Sequence, residues 1–320
     1  MPSACNSAVP CYGSPVMPVR VILALIAMLS LAACQSVSGE GLSTASTAAP
    51  AAPAKPQAET YSPETVAVGG GLNVDIYDPN EKKTGLFALV ANRSGAPKAP
   101  VVVYVHGGGW IKGERTKVYS LPSWAKSRGY MLVSVDYRPV PKTSIDGQIS
   151  DIVRAIKWVR ANISSHGGDP SRIVIMGHSA GSHLVAMIGV RKLAGPLAGV
   201  VANDVQAYDL EQYYRLRNDS MDRVYVKTFG RNRANWKKWS PATYVDRGSG
   251  YPPFLILYSR SDYIRRKALA NSFAGKLRDR GTKVALFDGK GYTHGSIARG
   301  IGNSREVTAA IDTFLKTVFN

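Results

Sequence analysis

Cysteine is scarce in this chain and missing altogether after position 34: the three present are Cys5, Cys11 and Cys34. A disulfide framework inside the folded part is thereby excluded, as is a metal site of the Cys-x-x-Cys kind, and no metal is expected. Acidic residues are also few, 22 against 40 Lys and Arg, which gives a formal net charge of +18. So basic a surface favours anionic partners such as acidic lipid headgroups or polyanionic glycans, or simply keeps the chain soluble through self-repulsion. Nucleic acid is not expected as a partner, because no helix-turn-helix, zinc-finger or RNP-like pattern is present. Histidine occurs five times in 320 residues, which narrows the search for a catalytic base. The apolar run from Val19 to Ala33, interrupted by Arg20, falls short of the roughly 20 residues that a transmembrane helix needs. It suits the core of a signal peptide instead.

That run closes on Leu31-Ala32-Ala33-Cys34, which resembles the lipobox of bacterial lipoproteins. The resemblance implies cleavage before Cys34, lipid attachment at Cys34 and hence the bilayer as a partner. Gln35 in the next position is similar to outer-membrane sorting signals, so the expected location is the bacterial envelope. Met17 competes with Met1 as the true start. Residues 34–60 are mostly Ala, Ser, Thr and Pro, too polar and too small to bury a core, and are read as a tether. The organisation is therefore a leader at 1–33, a lipidated tether at 34–60 and one folded domain at 61–320, a size that a single α/β domain fits.

The domain is organised around Arg172 to His183. Ile173-Val174-Ile175-Met176 reads as a buried strand and runs straight into Gly177-His178-Ser179-Ala180-Gly181. Leu184, Val185, Met187 and Ile188 then follow at helical spacing. Strand, tight turn, helix is the setting that a nucleophile elbow requires. Further strands are expected at Leu72–Tyr77, Leu86–Ala91, Pro100–Val105, Met131–Val135, Leu197–Ala202, Pro253–Tyr258 and Lys283–Phe287. Ile152, Ala155, Ile156 and Val159 form one helical stripe and Glu306–Phe319 a closing helix. Alternating strands and helices imply an α/β fold with a mostly parallel central sheet flanked by helices. From 208 to 247 the alternation lapses into interleaved aromatic and basic residues, read as a small cap insert.

Pro100–Val105 ends in His106-Gly107-Gly108-Gly109-Trp110. With Gly-His-Ser-Ala-Gly downstream, this loop resembles the oxyanion loop of hormone-sensitive-lipase-like carboxylesterases. It is similar also to that of feruloyl-esterase-like and kynurenine-formamidase-like members of the α/β-hydrolase superfamily. The resemblance, covering roughly 61–320, implies the α/β-hydrolase fold, Ser179 as nucleophile and the backbone amides of Gly108, Gly109 and Ala180 as oxyanion donors. His106 is expected to position the loop, and Asp136-Tyr137-Arg138 to support it. Of the other histidines, only His294 follows the serine and a strand end as the Ser…Asp…His order demands. His178 adjoins the nucleophile, His183 lies along the same helix, and His166 precedes the elbow strand. The orienting acid is expected at Asp262, after the penultimate strand, where the family places it; Asp288 is the alternative. No cofactor is required, and no protein partner is readable. The expected activity is hydrolysis of a small-molecule carboxylic ester, with an arylformamidase or amidase of the same fold, or a silent envelope binding scaffold, as alternatives.

Overall fold

The computed structural model describes residues 61–80 and 97–320. The leader, Cys34, the tether and the strand expected at Leu86–Ala91 lie outside the described residues. The sheet begins with a hairpin of β1 (Glu64–Gly69) and β2 (Leu72–Tyr77). Periodicity alone starts it at Leu72, because in β1 only Val68 is buried. β3 (Ala99–Val105), β4 (Met131–Val135), β5 (Gly168–His178), β6 (Gly199–Asn203), β7 (Phe254–Ser259) and β8 (Val284–Gly289) follow. Their order in space is β1-β2-β4-β3-β5-β6-β7-β8, antiparallel at β1–β2 and β2–β4 and parallel from there on.

Central strands of such a sheet are covered on both faces and so read as continuous apolar runs rather than alternating ones. Val101, Val102, Val103 and Val105 of β3, and Ile173, Val174 and Ile175 of β5, are all fully buried. Each such side chain contributes about 1.5–3 kcal/mol relative to exposure.

Two apolar layers lie on the two faces. α2 (Ile145–Asn162) starts at Ser144, whose hydroxyl accepts from the Gly147 amide, and turns Ile149, Ile152, Ile156 and Val159 inward. It packs in one layer with α3 (Ala180–Val190) and α7 (Tyr263–Asp279). The other layer holds α1 (Leu121–Ser127), α8 (His294–Arg299) and α9 (Arg305–Phe319). In that parallel topology the C-terminal ends of β3, β5, β6 and β7 open on one rim, where ligands of α/β sheets bind.

Between β6 and β7 the chain forms α4 (Leu210–Arg215), α5 (Arg223–Phe229), a 3-10 segment (Arg233–Trp239) and α6 (Pro241–Val245). Its aromatics are chiefly core: Tyr213, Tyr225, Phe229 and Trp236 are buried, and the Tyr213 and Tyr225 rings stack at 4.4 Å. Arg215, Arg223, Lys227, Arg231 and Lys237 face outward.

Candidate active site

β5 ends at His178 and α3 starts at Ala180, so Ser179 alone makes the turn, with φ 56° and ψ −120°. A residue with a side chain is strained there and is held only because its surroundings over-determine it. Close backbone approach makes the reversal possible. A Cβ on Gly177 would lie 2.3 Å from the Gly181 carbonyl oxygen, and one on Gly181 only 2.1 Å from that of Val105. The Ser179 amide donates to the Asn203 carbonyl at 2.9 Å, tying the turn to the end of β6.

Ser179 Oγ lies 2.9 Å from His294 Nε2. His294 is the first residue of α8, behind a capping box formed by Thr293 and Ser296. Its amide donates to Ser261 Oγ at 3.1 Å and its carbonyl accepts from His178 Nε2 at 2.9 Å. The ring is thus aimed by its backbone on both sides.

The carboxylate that meets His294 is Asp204, whose Oδ2 lies 2.7 Å from Nδ1. This corrects the expectation of Asp262. Asp262 caps α7 in a left-handed conformation, φ 53°, and its Oδ1 pairs with Arg265 at 2.6 Å while 46% of the side chain is exposed. Asp288, the other alternative, accepts from the Tyr263 hydroxyl at 2.6 Å. The physical reason lies in the strand order: β6 sits between β5 and β7. An acid at the tip of β6 is therefore one strand nearer Ser179 than an acid after β7. Asp204 is fully buried, and its Oδ1 accepts from Arg266 Nη1 at 2.9 Å and from the Ser259 amide at 2.8 Å. Burial pushes this carboxyl up, but the His294 hydrogen bond, the Arg266 and His294 charges and the Ser259 side chain outweigh it. They hold it below the usual carboxylate range. One signal in the sequence did point there. Asp204 comes one residue after the apolar run Val200-Val201-Ala202, behind Asn203, and an acid so placed is buried only with a partner.

The glycine loop follows β3. Gly108 has φ 130°, and a Cβ on it would fall 1.8 Å from the Lys112 carbonyl oxygen, so no other residue fits. Gly108 and Gly109 line a cavity of about 690 Å³ together with Ser179, His178, His294 and Val224 of α5. Ala180 opens α3, where amides have no intrahelical acceptor. His106 is buried and is not among the residues that line this cavity. Its ring stacks on Tyr137 at 4.2 Å, its Nδ1 donates to the Gly107 carbonyl at 2.8 Å, and its own carbonyl accepts from the Tyr137 hydroxyl at 3.0 Å. Asp136 pairs with Arg115 at 2.9 Å and Arg138 with Asp151 at 2.7 Å, so that triplet braces the loop from behind.

Two further histidines are kept neutral. Burial and the neighbouring His294 lower His178 to about 4, and burial lowers His183 to about 4. An unfolded histidine takes its proton near 6.5, whereas the folded chain refuses it. Stability from these groups is therefore complete above about pH 6.5 and is lost progressively as pH falls toward about 4. Urea midpoints should decline across that window, and a flat profile between those limits would contradict neutral burial.

A family model described as BD-FAE matches residues 87–277. Esterase LipQ of Mycobacterium tuberculosis is 30% identical over 238 residues, covering 69% of this chain and 56% of that protein. The isoprenylcysteine alpha-carbonyl methylesterase ICME of Arabidopsis thaliana is 29% identical over 213 residues, covering 61% and 50%. The chain thus spans about half the length of the curated relatives it matches. Among solved structures, Thermogutta terrifontis esterase 2 aligns with a TM-score of 0.60 at 20% identity, covering 82% of this chain and 94% of that one. A truncated carbohydrate esterase from gut microbiota aligns at 0.62 and 20%, covering 78% and 91%. At such identities the likeness is one of fold, and the fold is that of the α/β-hydrolases.

Proposed function

The chain belongs to the BD-FAE family, and on that premise we propose that it is a serine hydrolase cleaving carboxylic esters through an acyl-enzyme. The observation that carries this reading is the continuous relay from Ser179 Oγ through His294 to buried Asp204, at 2.9 and 2.7 Å. His294 Nδ1 donates to the carboxylate, so Nε2 is left as the acceptor for the serine proton. As Oγ attacks the ester carbonyl, His294 becomes imidazolium beside an ionised Asp204 and then returns the proton to the leaving alkoxide. The developing oxyanion is met by the amides of Gly108, Gly109 and Ala180, each donor contributing about 3 kcal/mol of transition-state stabilisation. Water, deprotonated by His294, resolves the acyl-enzyme. No step calls on a metal or an organic cofactor.

The cavity of about 690 Å³ falls within the usual range for small-molecule sites, roughly 300–1,000 Å³, and favours a small or aryl ester. The lipobox-like Leu31–Cys34 supports an enzyme tethered to the cell envelope through lipidated Cys34. The test is hydrolysis of p-nitrophenyl esters from acetate to palmitate by the full chain, with fluorophosphonate labelling of Ser179. Activity should follow the membrane fraction and leave it in Cys34→Ser; a wild type found wholly in the soluble fraction would refute the tether. Turnover falling off with chain length is expected. Absence of both turnover and labelling would sink the hydrolase reading, and labelling without ester turnover would shift it to amides.

A further inference from the structure

We propose that His183 is a positioning residue that holds the oxyanion loop at its working distance from the nucleophile. This rests on the hydrolase reading above. Three elements meet at the His183 imidazole. Trp110, the residue after Gly109, donates its indole Nε1–H to His183 Nδ1 at 3.2 Å. His183 Nε2–H donates in turn to the Trp239 carbonyl, in the cap, at 2.7 Å. His183 itself stands one turn along α3 from Ser179, and its amide donates to the Ser179 carbonyl at 3.3 Å. Oxyanion loop, elbow helix and cap are therefore joined through one side chain that has no exposed surface.

Only one neutral tautomer satisfies both hydrogen bonds, because Nδ1 must accept while Nε2 donates. Burial lowers the pKa to about 4, so that tautomer persists at neutral pH. Trp110 is in no position to adjust on its own. It has φ 63°, its carbonyl accepts from Gln148 Nε2 at 2.7 Å, and its ring is held edge-on by Tyr225 at 5.2 Å and Phe229 at 4.9 Å. Trp110 is bonded directly to Gly109, so a shift of its backbone is passed to that residue of the loop. A buried side chain that merely filled space would not need a donor and an acceptor aimed at two different elements, and an unpaired polar group there would be penalised. The imidazole fixes where the loop stands relative to Ser179.

The test uses His183→Phe, which keeps a ring and loses both hydrogen bonds, and His183→Asn, whose amide oxygen replaces Nδ1 toward Trp110. Rates are compared on an ester and the matching thionoester, whose sulfur is a weaker acceptor for oxyanion donors. His183→Phe should lower kcat on the order of 30- to 100-fold with KM within about 3-fold, as expected for an interaction made in the transition state. The oxo-to-thiono ratio should shrink with it, and His183→Asn should recover most of both. Phosphonylation of Ser179 by a fluorophosphonate needs the same donors and no ester, and should slow in parallel. If no ester is turned over, that rate still decides, and only the substrate class of the hydrolase reading is at fault. Folded His183→Phe with wild-type kcat, ratio and phosphonylation rate would overturn the proposal. Should that variant fail to fold, His183→Asn is set against His183→Gln, which keeps only the donor toward Trp239; equal ratios in the two would overturn it as well.

Discussion

Asp204→Asn is expected to lower kcat about 10,000-fold while leaving KM nearly unchanged, the size of loss that removal of a triad carboxylate's charge produces. The carboxylate does two things that an amide cannot do together. It accepts from His294 Nδ1, and it places a negative charge 2.7 Å from the imidazolium that forms during reaction. With Asn in its place, the amide nitrogen can present a donor to Nδ1. The imidazole then carries its proton on Nε2 and has nothing with which to take the Ser179 proton. Asp262→Asn is the matched control. It breaks only a half-exposed pair with Arg265, an interaction type worth about 0.2–1 kcal/mol, and should leave kcat within about 3-fold. Because Asp204→Asn also leaves buried Arg266 short of a counter-charge, its fold must be checked by circular dichroism before the rates are compared. If Asp262→Asn turned out to be the silent enzyme and Asp204→Asn the active one, the relay drawn from β6 would be wrong.

Strands β2 to β8, the elbow and the glycine loop were legible in the sequence because each is a local signal, whereas the mostly exposed β1 was not. Val101 to Val105 announces a strand covered on both faces, and Gly177 and Gly181 announce a backbone crossing that the 2.3 and 2.1 Å approaches make obligatory. His294 was legible by elimination, since of the two histidines after the serine only it also follows a strand end, His183 lying on the helix that Ser179 begins. The acid was not legible in that way. Asp204, Asp209, Asp262 and Asp288 all lie between Ser179 and His294 in the chain, so order alone cannot choose among them. The choice is made by which strand tip stands under the imidazole and by where Arg266 lies, four residues into α7 and 62 residues away from Asp204. Both are tertiary facts. His183 illustrates the same boundary. The sequence shows that it shares a helix with Ser179 and faces elsewhere, but not that Trp110 and Trp239 converge on it. The cap's interleaved aromatics look equally like a binding surface or a core until Tyr225 and Phe229 are seen packed on Trp110.

Ser179→Ala should remove activity almost entirely, with kcat falling on the order of a million-fold, as loss of a serine nucleophile does in other triads. Removing one oxygen leaves the rest of the site in place. The turn keeps its anchor to the Asn203 carbonyl at 2.9 Å, the two glycines still let the backbones pass, and His294 still meets Asp204. Stability should stay within about 1 kcal/mol of wild type, since no core contact is lost and alanine tolerates the same positive φ no better than serine does. What remains is an oxyanion site without a nucleophile, able to stabilise attack by water and to leave about 1,000-fold catalysis over solution. Adding His294→Ala to Ser179→Ala should therefore cost almost nothing further, because residues that act as one relay lose their effect together. Fluorophosphonate labelling should vanish in the single variant while ester binding persists. Turnover by Ser179→Ala above about a tenth of wild type would mean that another group attacks the carbonyl, and the relay through His294 and Asp204 would then need a different reading.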